Sequence, residues 1–320
     1  MGAGMGKGTT RDLEGKLVVL VGGSGFFGSH LAQELLERGA RLRVCSRHVE
    51  RAYSIKPLGI LGQVQLVRLD SRNERALAAA FQGADAVVNL VGAFKGDLDR
   101  LQGRGAGTVA AVAKAAGVAA FVQISAIGAD AGSPVAYART KAEGEAAVAA
   151  AFPGAVIVRP SVLFGEDDAF LNMFAGIIGR FPVVPVFAPE AKLQPLFVDD
   201  AACAVATILA DFPAQAGKTF EIAGPEAVSM MDLNQRIARA QGRSPVLLAV
   251  PDAGATLFAS LPGTPLSRDQ LTLLKAGNTA SGGYPGLADL GITARPLALF
   301  LDRWMTRYRK AGRFGKKSLA

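Results

Sequence analysis

Short apolar runs punctuate the first half of this chain: LVVLVG at 17, RLRVCS at 41, VQLVRLD at 64, AVVNLVG at 86, FVQIS at 121 and AVIVRP at 155. Each is too short for a buried helix, and each is followed by a stretch with helical spacing. That alternation predicts βαβ units whose strands lie in a parallel sheet covered on both faces, with right-handed crossovers. The fold class expected is α/β, a Rossmann-type doubly wound parallel sheet. After Pro160 the pattern loosens into FGEDDAFLNMFAGIIGRFPVVPV, which predicts a loop, a helix and an extended segment outside the sheet. QPLFVDDAACAVATIL and KTFEIAGPE then predict one more helix and strand returning to it. The expected organisation is a leader over 1–14 and a dinucleotide-binding domain over 15–165 that returns at about 194–225. A smaller interleaved region covers 166–193 and 226–295, and a basic helix and tail cover 296–320. No internal repeat or low-complexity linker interrupts the pattern.

Composition narrows the class. Of 320 residues half are hydrophobic and 19% charged, enough to bury a full core. The formal charge is +8, yet residues 302–320 alone carry seven basic residues against Asp302. The excess therefore points to an anionic partner at one end of the chain, and not to a nucleic-acid groove across its body. The two cysteines, Cys45 and Cys203, fall in an expected strand and an expected helix with no metal-ligand spacing, and read as reduced core residues. MGAGMGKGTT lacks a signal-peptide core and reads as a flexible leader, and no apolar run is long enough to cross a membrane.

The chemistry starts where the first strand ends. KLVVLVGGSGFFG runs from a buried strand into Gly22, Gly25 and Gly28, a spacing that allows a tight turn, a close approach to a pyrophosphate and close packing of the next helix. That helix, expected from about Phe26 to Arg38, would aim its N-terminal amides at the phosphates. At the end of the second strand an NAD-preferring site would carry Asp or Glu; this chain reads Cys45-Ser46-Arg47-His48, with Arg51 close behind. Arg47 pairs with a 2′-phosphate that a carboxylate would repel, so NADPH is the expected cofactor. Asp70, ending the third strand, serves either the adenine or the cap of the next helix.

Ser125 ends the fifth strand, and Tyr137 and Lys141 lie four apart on the following helix. An ammonium beside the phenol is expected to lower its pKa and make it a general acid, with the serine orienting a carbonyl. His30 and His48 fit no catalytic pattern.

The glycine loop, the Ser-Tyr-Lys set and the strand order resemble the extended and atypical short-chain dehydrogenase/reductases. The narrower motif R-P-S-x-x-F-G-x-x-D-x-F-L-N at Arg159–Asn172, with YARTKAEGEAAV, is similar to the atypical members that serve as accessory subunits of respiratory complex I, the NADH:ubiquinone oxidoreductase. The resemblance covers roughly residues 15–225. It implies an epimerase-like fold, a tightly held NADPH, a place on the peripheral arm near the quinone module at the membrane junction, and no established turnover. The cofactor-binding residues then expected are Gly22, Ser24, Gly25, Phe26, Phe27, Gly28, Ser46, Arg47, Asp70, Leu90, Val91, Gly92, Ser125, Tyr137, Lys141, Pro160, Ser161 and Val162. Ser125, Tyr137 and Lys141 are also the catalytic candidates, inherited architecture whether or not they turn over. Ala126 and Phe164-Gly165 depart from the sugar-nucleotide epimerase pattern and give the nicotinamide end an apolar lining. Asp167, Asp168 and Asn172 hold the following loop, by capping or by contact.

In the C-terminal segment Leu297, Phe300, Leu301, Trp304, Met305 and Tyr308 make a helical stripe from Pro296 toward Gly312, with a basic opposite face. It is expected to dock on an anionic membrane surface or a partner groove, the alternative being a helix packed on its own domain. The function expected is thus a non-catalytic NADPH-binding accessory subunit of complex I, touching peripheral-arm subunits. Its place would be the cytoplasmic face of a bacterial inner membrane, or the matrix side if the chain is a mature mitochondrial one. The rivals are an NADPH-dependent reductase or epimerase using Ser125, Tyr137 and Lys141, and a sensor of the NADPH/NADP ratio.

Overall fold

A computed structural model describes residues 11–260, 266–310 and 312. Along the chain, β1 (Leu17–Val21) leads into α1 (Phe26–Glu37), β2 (Arg41–Ser46), a 3-10 segment (Val49–Leu58), β3 (Val64–Arg68), α2 (Glu74–Phe81) and β4 (Ala86–Asn89). Then come α3 (Leu98–Gln102), α4 (Arg104–Ala115), β5 (Ala120–Ile124), α5 (Ala136–Ala151), β6 (Val156–Pro160), β7 (Leu163–Phe164), α6 (Ala169–Arg180) and β8 (Val183–Val186). The rest comprises β9 (Lys192–Leu193), β10 (Leu196–Phe197), α7 (Val198–Ala210), α8 (Phe212–Gln215), β11 (Thr219–Ile222), β12 (Val228–Ser229), α9 (Met230–Ala240) and β13 (Val246–Ala249). It ends with α10 (Asp252–Ser260), α11 (Arg268–Ala276) and α12 (Ala298–Trp304).

The predicted sheet is present, seven strands in the order β11-β6-β5-β4-β1-β2-β3. From β6 to β3 every pairing is parallel. β1 lies inside the sheet between β4 and β2, and all five of its residues are buried because neighbouring strands cover its edges and helices its faces. The chain divides into two compact units. Unit 1 holds the described residues up to Ser133, Tyr137–Arg159 and Ala201–Phe220, and unit 2 holds Pro134–Ala136, Pro160–Asp200 and the described residues from Glu221 onward. In unit 1, Leu77, Phe81, Val109, Phe121, Val148 and Phe152 fill the core between helices and sheet.

Residues 11–14, expected in the leader, are anchored through Leu13. Leu13 is buried and its N–H donates to Arg38 O at 3.2 Å, so a turn closes over the end of α1. Residues 1–10 lie outside the described residues.

The C-terminal segment corrects a larger expectation. α12 runs only from Ala298 to Trp304, a 3-10 turn continues to Tyr308, and Arg309 is extended. Its stripe is not presented outward: Leu297, Leu301, Trp304 and Met305 are buried. Phe300 stacks on Phe197 and Trp304 at 4.2 and 4.7 Å between centroids, and Phe164 meets Phe300 and Trp304 edge-on. Unit 2 supplies its own aromatic partners, so the stripe is a domain-packing element. Its basic face is partly committed as well. Arg307 donates to Glu166 O and to Asn172 Oδ1, and Arg309 donates to Ala240 O at the end of α9. Arg313, Lys316 and Lys317 lie outside the described residues. Among the described residues no helix is long and apolar enough to cross a membrane.

Candidate functional site

At the end of β1 the three expected glycines have separate jobs. Gly22 takes φ +81, the left-handed backbone a side chain resists, and donates its N–H to Cys45 O at 2.8 Å. A Cβ on Gly28 would lie 2.5 Å from Gly23 O, so this glycine lets α1 close on the loop. A Cβ on Gly25 would meet nothing within 4 Å, because that side faces open space. Gly25 is also the N-cap of α1 and offers no side-chain cap, so the first amides of a 12-residue helix face that space without a side-chain acceptor.

A cleft of about 190 Å³ opens there, in unit 1. It brings together the expected Gly22, Ser24, Gly25, Ser46, Arg47, Leu90, Val91 and Gly92, and adds His48, Arg51, Leu69, Ser71 and Leu101. The hydroxyls of Ser24 and Ser46 lie 2.6 Å apart, and Ser46 Oγ accepts the His48 N–H at 3.2 Å, which fixes the bottom of the cationic rim. Among the described residues no carboxylate lines the cleft.

Three expected residues act differently. Phe26 packs edge-on against His30, 5.2 Å between centroids, and neither it nor Phe27 lines the cleft; what they bring is the N–H groups of the first helical turn. Asp70 neither lines the cleft nor caps α2, whose cap is Asn73. Its carboxylate is held by the Arg72 side chain, with Nε donating to Oδ1 at 2.9 Å and to Oδ2 at 3.2 Å and Nη2 to Oδ2 at 2.5 Å, and that guanidinium pulls its pKa down to about 2.

The Ser-Tyr-Lys set converges at the end of β5. Lys141 Nζ donates to Ile124 O at 3.1 Å and is nearly enclosed, 5% exposed; burial lowers its pKa to about 8, with Glu145 opposing the shift. A Cβ on Gly92 would lie 3.3 Å from that ammonium, so Gly92 joins the cleft to the lysine. Ser125 donates its hydroxyl proton to Glu145 Oε1, and Glu145 is gripped by Arg159 Nε at 2.9 Å and Nη2 at 2.6 Å. The expectation that Lys141 lowers the Tyr137 pKa is overturned. The ammonium stands 6.0 Å from the ring centroid, and burial of the phenol pushes it up to about 12. Phe94, itself exposed, stacks on Tyr137 with centroids 4.3 Å apart.

Pro160, Ser161 and Val162 belong to unit 2. There Ser161 Oγ donates to Gln194 O at 2.6 Å and the Val162 N–H to Asn278 Oδ1 at 2.6 Å. The loop after them is held by capping: Asp168 accepts the Leu171 N–H at 2.6 Å and the Gly165 N–H at 3.2 Å, while Asn172 donates to Asp168 O. Cys45 is buried, which raises its thiol pKa to about 12, whereas Cys203 is half-buried beside the Arg38 guanidinium.

Sequence reasoning missed Glu145 and Gln102. Glu145 lies one helical turn beyond Lys141 and two beyond Tyr137, a same-face spacing that was there to be read. Gln102 sits at the break between α3 and α4, buried, accepting the Ala93 N–H at 3.0 Å and donating to Thr140 Oγ1 at 2.9 Å. It ties the loop after β4 to the helix of Tyr137 and Lys141, and nothing in its sequence neighbourhood signals that.

The chain matches the NAD(P)H-binding family profile over residues 22–170. It is 28% identical over 327 residues to the Arabidopsis thaliana mitochondrial NADH dehydrogenase (ubiquinone) 1 alpha subcomplex subunit 9, covering 96% of this chain and 81% of that protein. To the protein of the same name from Mus musculus it is 29% identical over 316 residues, 95% and 83% of the two chains. To a ceramide reductase of Caulobacter vibrioides it is 30% identical over 249 residues, 77% of each. Among solved structures, the Escherichia coli NADPH-dependent quinone oxidoreductase complexed with NADPH superposes with a TM-score of 0.71 at 20% identity, over 89% of this chain and 98% of that one. At that identity the likeness shows the fold.

Proposed function

This chain belongs to the NAD(P)H-binding, atypical short-chain dehydrogenase/reductase family that includes the alpha subcomplex subunit 9 of complex I, and on that premise we propose that it is a non-catalytic, NADPH-holding accessory subunit of respiratory complex I. Its place would be the peripheral arm near the quinone module, on the cytoplasmic face of a bacterial inner membrane or the matrix face of a mitochondrial one. Relatives bearing the complex I name match along nearly the whole chain, which supports the assembly.

The cleft supports the nucleotide. The open side of Gly25 and the α1 amides would take the pyrophosphate, Arg47 with Arg51 would face a 2′-phosphate, and the Lys141 ammonium would meet ribose hydroxyls. Bound there, NADPH supplies a hydride for any reaction the site performs. A nucleotide bound by the folded chain alone also stabilises the fold by mass action, which suits a structural role.

The observation that carries the absence of turnover is the hold on Ser125. Its single proton goes to a carboxylate already ion-paired with Arg159, so it is not offered to a substrate carbonyl, and Phe94 covers one face of the Tyr137 ring. Tyr137→Phe removes the only acid of the set and keeps the ring. With this variant, complex I should migrate intact on a native gel, retain NADPH and keep its NADH:quinone activity. A large loss of that activity with normal assembly and retained nucleotide would refute the non-catalytic reading.

One observation favours a second reading, an NADPH-dependent reductase of a carbonyl. Ser125, Tyr137 and Lys141 still come together at the end of β5, with the Lys141 ammonium bonded to Ile124 O and 6.0 Å from the Tyr137 ring centroid. The 30% identity to a ceramide reductase points the same way. Steady NADPH oxidation by the purified protein with a long-chain ketone, abolished in Tyr137→Phe, would establish it.

A further inference from the structure

His48 fits no catalytic pattern, and the fold gives it a different place. β2 ends at Ser46, whose Oγ accepts the His48 N–H at 3.2 Å, and the chain then turns as the Arg51 N–H donates to His48 O at 3.2 Å. Side chains three apart in a turn of that 3-10 kind stand on one side of it, and His48 and Arg51 both border the nucleotide cleft, together with Arg47. All three are exposed.

One nitrogen of the imidazole is engaged. His48 Nδ1 lies 3.3 Å from Glu50 Oε1, and an ionised carboxylate only accepts, so Nδ1 carries the proton of the neutral ring. Charge is then gained or lost at Nε2. Without a proton that nitrogen presents a lone pair, which phosphate oxygens repel; with one it is a charged donor. Glu50 is ionised: its own backbone N–H, with His48 and Arg68 beside it, holds the carboxyl below the usual carboxylate range. Arg68 Nη2, from β3, stands 3.5 Å from Glu50 Oε2 and balances its charge. Asp70, beyond the end of β3, is taken by Arg72, and the glycine loop brings no charge to the cleft, only the Ser24 hydroxyl.

A 2′-phosphate is close to a dianion above about pH 7, since its last proton leaves near pH 6. Beside such a charge a neutral imidazole is driven to take up a proton, and imidazole is the side chain that ordinarily does so between about pH 5 and 8. On the NADPH reading above, we infer that His48 is a third ligand of the 2′-phosphate alongside Arg47 and Arg51, and that NADPH draws a proton onto it in binding. The sign of the linkage is definite. The NADPH complex holds more protons than its separated parts, so the preference for NADPH over NADH is largest near neutral pH and declines as the pH rises. Lys141 would meet a ribose that both nucleotides carry, so its own titration cancels when the two are compared.

The nucleotide-free, full-length protein is titrated with NADPH and with NADH in buffers of different ionisation heat, which counts the protons exchanged. At about pH 7.5, NADPH should take up roughly half a proton more than NADH. The ratio of the two affinities should fall about three- to tenfold between about pH 7 and pH 8.5. His48→Gln should lose the extra proton, flatten that ratio and lower the NADPH preference at neutral pH by a similar factor. His48→Arg supplies a permanent cation and should restore the preference with neither the proton nor the pH dependence, a rescue that a merely structural histidine would not allow. Unchanged NADH binding in both variants checks that they fold. Equal proton counts for the two nucleotides in the wild type, or an extra proton retained in His48→Gln, would overturn the inference. So would a net release of protons with NADPH, the signature of a phosphate giving up its own proton to the two arginines. Any of these results with NADPH still preferred would leave the NADPH reading standing, whereas equal affinity of the wild type for both nucleotides would remove that reading and the role of His48 together.

Discussion

Lys141 has an ammonium buried beside a carbonyl, and that burial gives the site a pH signature. Its folded pKa is about 8 against 10.5 for an ordinary lysine. Between those values the unfolded chain binds the extra proton, so raising the pH through that window should stabilise the nucleotide-free protein, while below about pH 8 both states are protonated and the dependence vanishes. Nucleotide binding should run the other way. If the ammonium holds ribose hydroxyls, NADPH affinity falls as pH rises through about 8, and Lys141→Met should flatten that profile; calorimetric titrations at pH 7 and pH 9 measure it. Arg47 is the second residue with a sharp consequence. Arg47→Asp exchanges a charge-assisted pair for repulsion and should reduce the preference for NADPH over NADH by on the order of ten- to a hundredfold. Equal affinity of the wild type for both nucleotides would remove the basis of the NADPH assignment. Arg47 was legible in the sequence because a strand end fixes where a cofactor's neighbours must stand, and Lys141 because it lies one helical turn beyond Tyr137. The Tyr137 pKa was not, because its shift comes from burial, and which groups bury a ring is decided by packing that sequence spacing does not record.

At the scale of elements, the glycine loop and the C-terminal helix make opposite tests. Gly25→Val adds side-chain atoms only to open space, so the protein should fold with its melting temperature nearly unchanged and lose NADPH, which a thermal scan with and without nucleotide would show. Gly28→Ala drives a Cβ into Gly23 O and should destabilise the chain by about 1–3 kcal/mol. Trp304→Ala empties a buried aromatic stack and should lower stability by about 3–5 kcal/mol, read by denaturant unfolding. If that variant were as stable as the wild type, the packing account of α12 would be wrong. The strands and the first helix could be read ahead because continuous apolar runs and glycine spacing are local signals. The docking of α12 could not. An amphipathic stripe announces that it needs a cover, and Phe164 and Phe197, which supply it, lie more than a hundred residues earlier. The same limit applied to Glu145 and Arg159, whose pairing depends on the register of α5 against β6.

At the scale of the whole molecule, a nucleotide cleft in unit 1 lies beside a Ser-Tyr-Lys set whose serine is engaged by Glu145, in a chain whose proposed place is a large respiratory assembly. The class of the fold and the kind of cofactor followed from the sequence. The division into units, and the face the chain turns to its surroundings, are properties of the packed structure. The most direct test of the central claim is to tag the chain, purify it from its native membrane under mild detergent, and quantify together the complex I subunits, the NADH:quinone activity and the bound nucleotide. The account predicts complex I recovered in stoichiometric amount with its activity, and close to one NADPH per tagged chain. Recovery of the chain alone, or with complex I but without nucleotide, would contradict it.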